Sequence, residues 1–242
     1  MRYVFHNIRN TKNIGDLACC PASYFPFEDA EVLGLHVPTP EADVVVYGGG
    51  HIYRSVQNKL SQSSARKVIW GIGLVAYRRW WLERWRLSRA FELIGCRDYA
   101  VPGTEYVPCV SCMDDGFDAP AAPVHDVVLY WHKEKSRGLV QPEGIPSMHN
   151  AQGNLAESLS FIASGKTVVT NYYHGTYWAL LMGRKVLSLP FNDKFAGFKY
   201  PPAFATATDW QEYLPYAVAA PPDYLEECRS INRAFFDKVQ NL

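Results

Sequence analysis

The chain lacks an excess of charge of either sign. Its 242 residues carry 24 Lys and Arg against 24 Asp and Glu, so the formal net charge is zero. A general nucleic-acid binder carries a basic surface, and this balance therefore argues against a nucleic-acid partner. Glycine and proline, at 17 and 16 residues, are close to average usage, which excludes collagen-like chains. With 48% hydrophobic and 20% charged residues, intrinsic disorder is excluded as well.

Long hydrophobic runs are also absent. No window approaches the ~18 apolar residues of a membrane span. The N-terminal segment MRYVFHNIRNTKNIGD has no apolar core of the signal-peptide kind. The six cysteines, including the pair in Cys109-Val-Ser-Cys112, are too few and too unevenly spaced for a disulfide framework. We therefore expect reduced thiols, no metal site, no organic cofactor and a cytoplasmic protein.

Short β-branched runs alternate with helical patterns along the whole chain. The runs predict strands over 2–6, 43–47, 67–70, 126–131, 167–170 and 185–189. The patterns between them predict helices over 17–25, 56–65, 80–94, 154–164, 175–182 and 222–239. Continuous apolar runs are typical of strands that are covered on both faces, hence of parallel sheets. The sequence therefore predicts an α/β fold.

A segment rich in proline and alanine, 116–124, divides the chain almost in half. It predicts a linker between two Rossmann-like domains, 1–118 and 119–242. In open parallel sheets, ligands bind at the carboxyl ends of the strands. The junctions between a strand and the following helix are therefore where functional residues are expected.

Two junctions of the first half carry glycine. In Asn13-Ile-Gly15-Asp16, Gly15 allows a tight turn. Asp16 either caps the next helix or serves as a base or a partner for a substrate hydroxyl. In Gly48-Gly49-Gly50, which follows a predicted strand, exposed backbone N–H groups suit an anion or a closely bound substrate.

The junctions of the second half carry a histidine and a lysine. His174 follows a predicted strand and opens a predicted helix, and the helix dipole there favours the neutral imidazole, which can act as an acid or a base. Lys194 lies in the loop after the next strand, where it could meet a phosphate. Tyr172 and Tyr173 stand between strand and helix, where aromatic rings often contact sugars.

The order of these motifs resembles that of polysaccharide pyruvyl transferases. The N-x-G-D segment, the glycine run, a G-x-G at Gly71 and the pair Arg97-Asp98 are similar to the family's N-terminal half. The succession strand, T-x-x-x-H, helix, strand, loop and lysine, from Thr170 to Lys194, is similar to its C-terminal half. The resemblance implies a glycosyltransferase-B-like fold. It also implies transfer of pyruvate from phosphoenolpyruvate, as a ketal, onto a sugar in exopolysaccharide biosynthesis.

The resemblance also assigns roles. It places His174 where a proton is supplied or taken, Lys194 at the phosphate and Asp16 at the acceptor, and it adds Arg97 to the substrate-binding residues. The family's last motif commonly reads T-x-R-x-H, and Tyr172 stands at the position of that arginine. A phenol does not replace a bidentate guanidinium, but it can stack on a base or sugar ring.

Three functions therefore stay open at this point. The first is pyruvyl transfer to a glycan, the second is a glycosyltransferase that uses a nucleotide sugar, and the third is a non-catalytic glycan-binding protein. The segment 77–89, with three Trp and five Arg, bears on the acceptor. It predicts either an interfacial helix that reaches a lipid-linked saccharide at the inner face of the membrane, or a surface helix whose Trp side chains pack inward.

Overall fold

The computed structural model describes residues 1–57, 63–74, 88–137, 139 and 141–242, and these form two compact units. The first unit contains residues 1–11, 16–113 and 228–242, and the second contains 12–15 and 114–227. The main division therefore follows residue 113, near the boundary expected after 118. It differs from the expected division in two segments, because 12–15 belong to the second unit and 228–242 to the first.

The first unit is built on a sheet of six parallel strands. In chain order its elements are β1 (Arg2–Asn7), α1 (Ile14–Leu17), whose first two residues belong to the second unit, β2 (Asp29–Gly34), β3 (Val44–Gly48), α2 (Tyr53–Gln57), β4 (Arg66–Ile72), β5 (Leu93–Cys96) and β6 (Glu105–Tyr106). The strand order is β2-β1-β3-β4-β5-β6. Short 3-10 helices occupy Pro21–Ser23 and Val110–Met113.

The second unit is built on five parallel strands. Its elements are β7 (His125–Trp131), β8 (Ser147–His149), α3 (Leu155–Ala163), β9 (Gly165–Thr170), α4 (Tyr173–Leu181), β10 (Lys185–Ser188), β11 (Ala203–Phe204), α5 (Trp210–Tyr213) and the start of α6 (Tyr224–Gln240). The strand order is β8-β7-β9-β10-β11. Further 3-10 helices lie at Asp115–Phe117, Asp193–Gly197 and Leu214–Tyr216.

The central strands are apolar because both of their faces are covered. Every residue of β3 is buried, and in β9 the last three residues are buried as well. In the first unit, Trp70 of β4 meets Phe235 of α6 edge to face, with ring centroids 5.0 Å apart. Its Nε1–H donates to Asn232 Oδ1 at 2.9 Å. These contacts show why the C-terminal residues belong to the first unit.

All six predicted strands are confirmed, as β1, β3, β4, β7, β9 and β10, and the predicted parallel sheets are confirmed with them. The helices predicted over 154–164, 175–182 and 222–239 are present as α3, α4 and α6. Asn154 caps α3, because its side chain accepts the Glu157 N–H at 3.0 Å.

Other predictions were wrong. The segment 17–25 is not one α-helix, because Pro21 cannot donate a backbone hydrogen bond, and the chain forms α1 and a 3-10 turn instead. The helix predicted over 80–94 cannot extend to its end, since Leu93–Cys96 form β5. Residues 88–90 of that prediction are helical, whereas 80–87, and 77–87 of the segment 77–89, lie outside the described residues. In the helix predicted over 56–65, residues 58–62 also lie outside the described residues, and 63–65 are not helical.

Both units place their first strand between their second and third. The direction of the connections therefore reverses between β1 and β3 in the first sheet and between β7 and β9 in the second. Crevices at the carboxyl ends of such strand pairs are the usual ligand sites of open α/β sheets. In the part of the chain that the structure describes, no helix has both the length and the apolar character needed to cross a bilayer.

Candidate functional site

In the second unit, the chain turns sharply where β9 ends. Thr170 Oγ1 donates to the Tyr130 carbonyl of the neighbouring β7 at 2.5 Å and accepts the Tyr172 N–H at 3.0 Å. These bonds fix the chain at residues 171–172, so that α4 begins at Tyr173. The Thr of the T-x-x-x-H pattern thus shapes the turn that presents Tyr172 and His174.

Tyr172 connects two segments that are far apart in sequence. Its hydroxyl donates to Asn13 Oδ1, across 159 residues of chain. It also lies 3.0 Å from His174 Nδ1. All three residues belong to the second unit, and both Tyr172 and His174 are buried. The result is a hydrogen-bonded row Asn13–Tyr172–His174 beside the carboxyl end of β9.

The direction of this row fixes the tautomer of the histidine. A tyrosine hydroxyl has one hydrogen, and Tyr172 gives it to the Asn13 carbonyl oxygen, which can only accept. Towards His174 the hydroxyl must therefore act as acceptor, so Nδ1 carries the proton and Nε2 is the basic nitrogen of the neutral ring. The row thus leaves Nε2 as the ring nitrogen that can accept a proton.

Gly15 permits the row to form. A Cβ atom at this position would lie 2.1 Å from His174 Nδ1 and 2.1 Å from the Tyr172 hydroxyl oxygen. Real Cβ atoms do not approach so closely, and both neighbouring side chains are buried. The glycine of the N-x-G-D motif is therefore needed for close packing against His174. The tight turn expected from sequence does not require it, because Gly15 lies in α1 and its φ is not positive.

A second group of polar residues lies at the carboxyl ends of β7 and β10 in the same unit. His132 directly follows β7, and its backbone N–H donates to Asn171 Oδ1 at 2.8 Å. Its ring meets Tyr172 and Phe191 edge-on, with centroids 5.6 Å and 5.8 Å apart. The Lys194 ammonium lies 4.5 Å from the centroid of the Phe191 ring. Tyr172 thus contacts both His132 and His174.

The electrostatics of this group are cationic. Burial, followed by the charge of Lys194, lowers the pKa of His132 below its ordinary value. The Lys135 ammonium lies 5.8 Å from the centroid of the same Phe191 ring. Phe191 is 38% exposed, which is unusual for a phenylalanine, and so it offers a ring face to these cations.

The predicted residues of the first unit meet around Cys19. The hydrogen bond with Cys109, followed by burial, raises the pKa of this thiol well above its ordinary value. The charge of Asp16 raises it further, and the charge of Arg97 lowers it. The Sγ atoms of Cys19 and Cys109 are 3.4 Å apart, and all six cysteines are buried thiols. Arg97, only 4% exposed, lies beside Gly73, where a Cβ atom would be 3.0 Å from Nε.

The glycine run at the end of β3 has a structural use. Gly49 and Gly50 have φ values of +66° and +73°, a region that favours glycine. The Gly49 N–H donates to the Trp70 carbonyl at 3.0 Å, and the Gly48 carbonyl accepts from Asn7 Nδ2 at 2.8 Å. The Gly49 N–H is thus used within the backbone.

The structure therefore distributes the predicted site residues between the two units. Asp16, Gly48, Gly49, Gly50 and Arg97 lie at the carboxyl edge of the first sheet, whereas Gly15, Tyr172, Tyr173, His174 and Lys194 lie in the second unit. Tyr173 is buried and stacks on Phe198, with ring centroids 4.7 Å apart, so its ring is part of the core.

Sequence reasoning missed His132, Asn171 and Phe191, and did not assign a role to Asn13. His132 follows the predicted strand 126–131 without an intervening residue, and this position was the available signal.

Comparison with known proteins gives a fold and no function. No protein-family model matches the chain, and no curated protein matches it. A similar solved structure is the crystal structure of a functionally uncharacterised protein from Klebsiella pneumoniae subsp. pneumoniae. It has a TM-score of 0.52 and 13% sequence identity, and the match covers 89% of this chain and 90% of that one. At this identity the likeness concerns the fold alone.

Proposed function

We propose that the chain is a transferase of the polysaccharide pyruvyl transferase type, which moves the pyruvyl group of phosphoenolpyruvate onto a sugar of a surface polysaccharide. The observation that carries the proposal is the row Asn13–Tyr172–His174. Its members come from the two motifs, N-x-G-D and T-x-x-x-H, on which the resemblance to that family depends. Their contact in the folded chain supports a shared role.

In this proposal His174 acts as the base. Nε2 takes the proton of a sugar hydroxyl while the hydroxyl oxygen forms a bond with C2 of phosphoenolpyruvate. The C3 methylene gains a proton and becomes a methyl group. The C2–O bond to phosphate breaks, and a second sugar hydroxyl closes the ketal. Of the two hydroxyl protons, one balances the gain at C3 and the other leaves with phosphate. Such a base typically accelerates a reaction ~10²–10⁴-fold.

The donor brings a carboxylate and a phosphate, so the site needs positive charge. Tyr172, at the position of the family's arginine, provides none, because a phenol carries no positive charge. Arg184 and Lys199 do not serve either: Arg184 donates to the carbonyls of Ala163 and Ala121, and Lys199 pairs with Glu227 at 2.5 Å. Lys194, beside His132, is the cation that we assign to the phosphate.

The proposal extends to the finer fold type and the acceptor. The proposal includes the glycosyltransferase-B-like arrangement that the resemblance implies. It also includes a saccharide acceptor that contacts Asp16. Asp16 Oδ1 lies 3.7 Å from the position that a Cβ atom of residue 50 would take, so this carboxylate lies beside the glycine run. A carboxylate there can accept a hydrogen bond from a sugar hydroxyl.

Ligand-dependent thermal unfolding tests the donor. A ligand that binds only the folded protein raises its stability by RT ln(1 + [L]/Kd), about 2.7 kcal/mol at one hundred times Kd. We expect phosphoenolpyruvate to raise the melting temperature and lactate, which lacks the phosphate, to leave it unchanged. A set of nucleotide sugars is measured beside them.

The alternatives predict different outcomes. Stabilisation by a nucleotide sugar without stabilisation by phosphoenolpyruvate would refute pyruvyl transfer and favour a glycosyltransferase. Stabilisation by glycans alone would favour a non-catalytic glycan-binding protein.

A further inference from the structure

Among the described residues, one ring nitrogen of His132 has a hydrogen-bond partner and the other has none. The Glu134 N–H donates to Nδ1 at 3.3 Å, which makes Nδ1 an acceptor and leaves the proton of the neutral ring on Nε2. Among the residues that the structure describes, Nε2–H has no hydrogen-bond partner. This N–H, on a side chain of intermediate burial, can donate to an acceptor on a bound molecule.

The charges around His132 select the kind of acceptor. Lys194 approaches from the 3-10 segment Asp193–Gly197 and Lys135 from the loop after β7, and both ammonium groups lie over the exposed Phe191 ring. Glu134 is the acidic group that acts on His132, and it pairs with Arg137 at 2.8 Å. The remaining neighbours of the ring, Tyr172 and Phe191, are uncharged aromatic side chains.

We propose that His132 Nε2–H, Lys194 and Lys135 form a binding site for a phosphoryl group at the carboxyl end of β7. His132 donates a hydrogen bond to a phosphoryl oxygen, and the two ammonium groups balance its negative charge. Neutral His132 is already a donor at Nε2, so the site works without protonation of the ring. The position between β7 and β9, where the direction of the connections reverses, is the usual ligand site of such a sheet.

This inference rests on the proposed function only for the source of the phosphoryl group. In pyruvyl transfer it belongs to phosphoenolpyruvate, and in glycosyl transfer to a nucleoside diphosphate. Titrations of the full chain with inorganic phosphate, phosphoenolpyruvate and UDP answer two separate questions. Phosphate shows whether the site binds a phosphoryl group, and the other two compounds show which source of that group it prefers. Binding of phosphate without any pyruvyl transfer would leave the site standing and refute the proposed function.

Two disruptive variants, two matched controls and one conservative variant test the assignment. We expect His132→Leu to weaken phosphate binding ~10-fold or more, since a charge-assisted hydrogen bond is lost. Lys194→Gln should weaken it by a similar factor at low salt and by less at high salt. His125→Leu and Lys185→Gln change exposed residues at the opposite ends of β7 and β10 and should bind phosphate as the parent does. His132→Gln, which keeps an amide donor, should recover part of the affinity.

The ring nitrogens of His132 give a readout that does not depend on the variants folding. In ¹⁵N spectra of the parent protein near neutral pH, Nδ1 should have the chemical shift of an unprotonated nitrogen, and phosphate should move the Nε2 resonance. Unchanged His132 resonances at saturating phosphate, or equal phosphate affinity of the parent and both site variants, would overturn the proposal.

Discussion

Replacement of Gly15 by alanine adds one methyl group beside the row Asn13–Tyr172–His174. In most short helices this change is favourable, because glycine in a helix is destabilising by roughly 0.5–1 kcal/mol relative to alanine. The backbone at Gly15 has no positive φ, so the substitution causes no strain of its own. The sign of the effect therefore depends on the contacts of the new Cβ.

Those contacts are prohibitive. The added atom would lie 2.1 Å from both the Tyr172 hydroxyl oxygen and His174 Nδ1, and 2.5 Å from His174 Cγ. Overpacking of a core costs about 1–3 kcal/mol, and a buried hydrogen-bonding group left without its partner costs about 1–3 kcal/mol. We expect Gly15→Ala to lower the free energy of unfolding by about 2–4 kcal/mol. We also expect it to displace His174.

Urea unfolding followed by tryptophan fluorescence measures this change, and Gly34→Ala is the matched control. Gly34 also lacks a positive φ, and of the atoms that the structure describes a Cβ there would meet Val37 Cγ2 alone, at 3.7 Å. Alanine at that position should be neutral, or stabilising by about 0.4–1 kcal/mol through the unfolded chain. A Gly15→Ala protein as stable as the Gly34→Ala control would refute the close packing of Gly15 against the row.

Three further predictions concern other parts of the structure. Tyr172→Phe removes the hydroxyl of the row and should destabilise the fold by about 1–3 kcal/mol; urea unfolding checks this, and turnover should fall because His174 loses its acceptor. The six cysteines should react slowly with a thiol reagent in the native protein and fully in denaturant, since burial raises the pKa of Cys20 and Cys96 and is one cause of the raised pKa of Cys19. Fast native labelling would contradict this. Asn154→Ala should cost about 1 kcal/mol through loss of the α3 cap, with ligand binding unchanged in the same titrations.

The strands were predictable from sequence wherever burial on both faces produced a continuous apolar run. The run of valines in β3 is such a case, and every residue of that strand is buried. β2 was missed because it pairs only with β1, at the edge of its sheet, and its sequence DAEVLG has no such run. The segment 17–25 was misread as a helix since its apolar residues suggested one, although Pro21 prevents it.

The site was predictable as a set of positions and not as a set of contacts. The motifs pointed to Gly15 and His174, and Tyr172 was noticed as a departure from the family's pattern. That the Tyr172 hydroxyl joins Asn13 to His174 depends on how the chain folds over 159 residues, which no local pattern contains. His132 and Phe191 were missed for the same reason, since their common neighbour Lys194 lies close to them only in the folded unit.

The most direct test of the central claim is the turnover of phosphoenolpyruvate with sugar acceptors that carry two neighbouring free hydroxyls. Phosphate release is followed by ³¹P NMR, and the new methyl group of the ketal is followed by ¹H NMR. The account predicts equal amounts of phosphate and ketal from the parent protein and from the His125→Gln control. It predicts a loss of ~10²–10⁴-fold for His174→Gln, measured at a temperature at which the variant is folded. Ketal formation by His174→Gln at the parent rate would contradict the account, and so would phosphate release with no ketal from the parent protein.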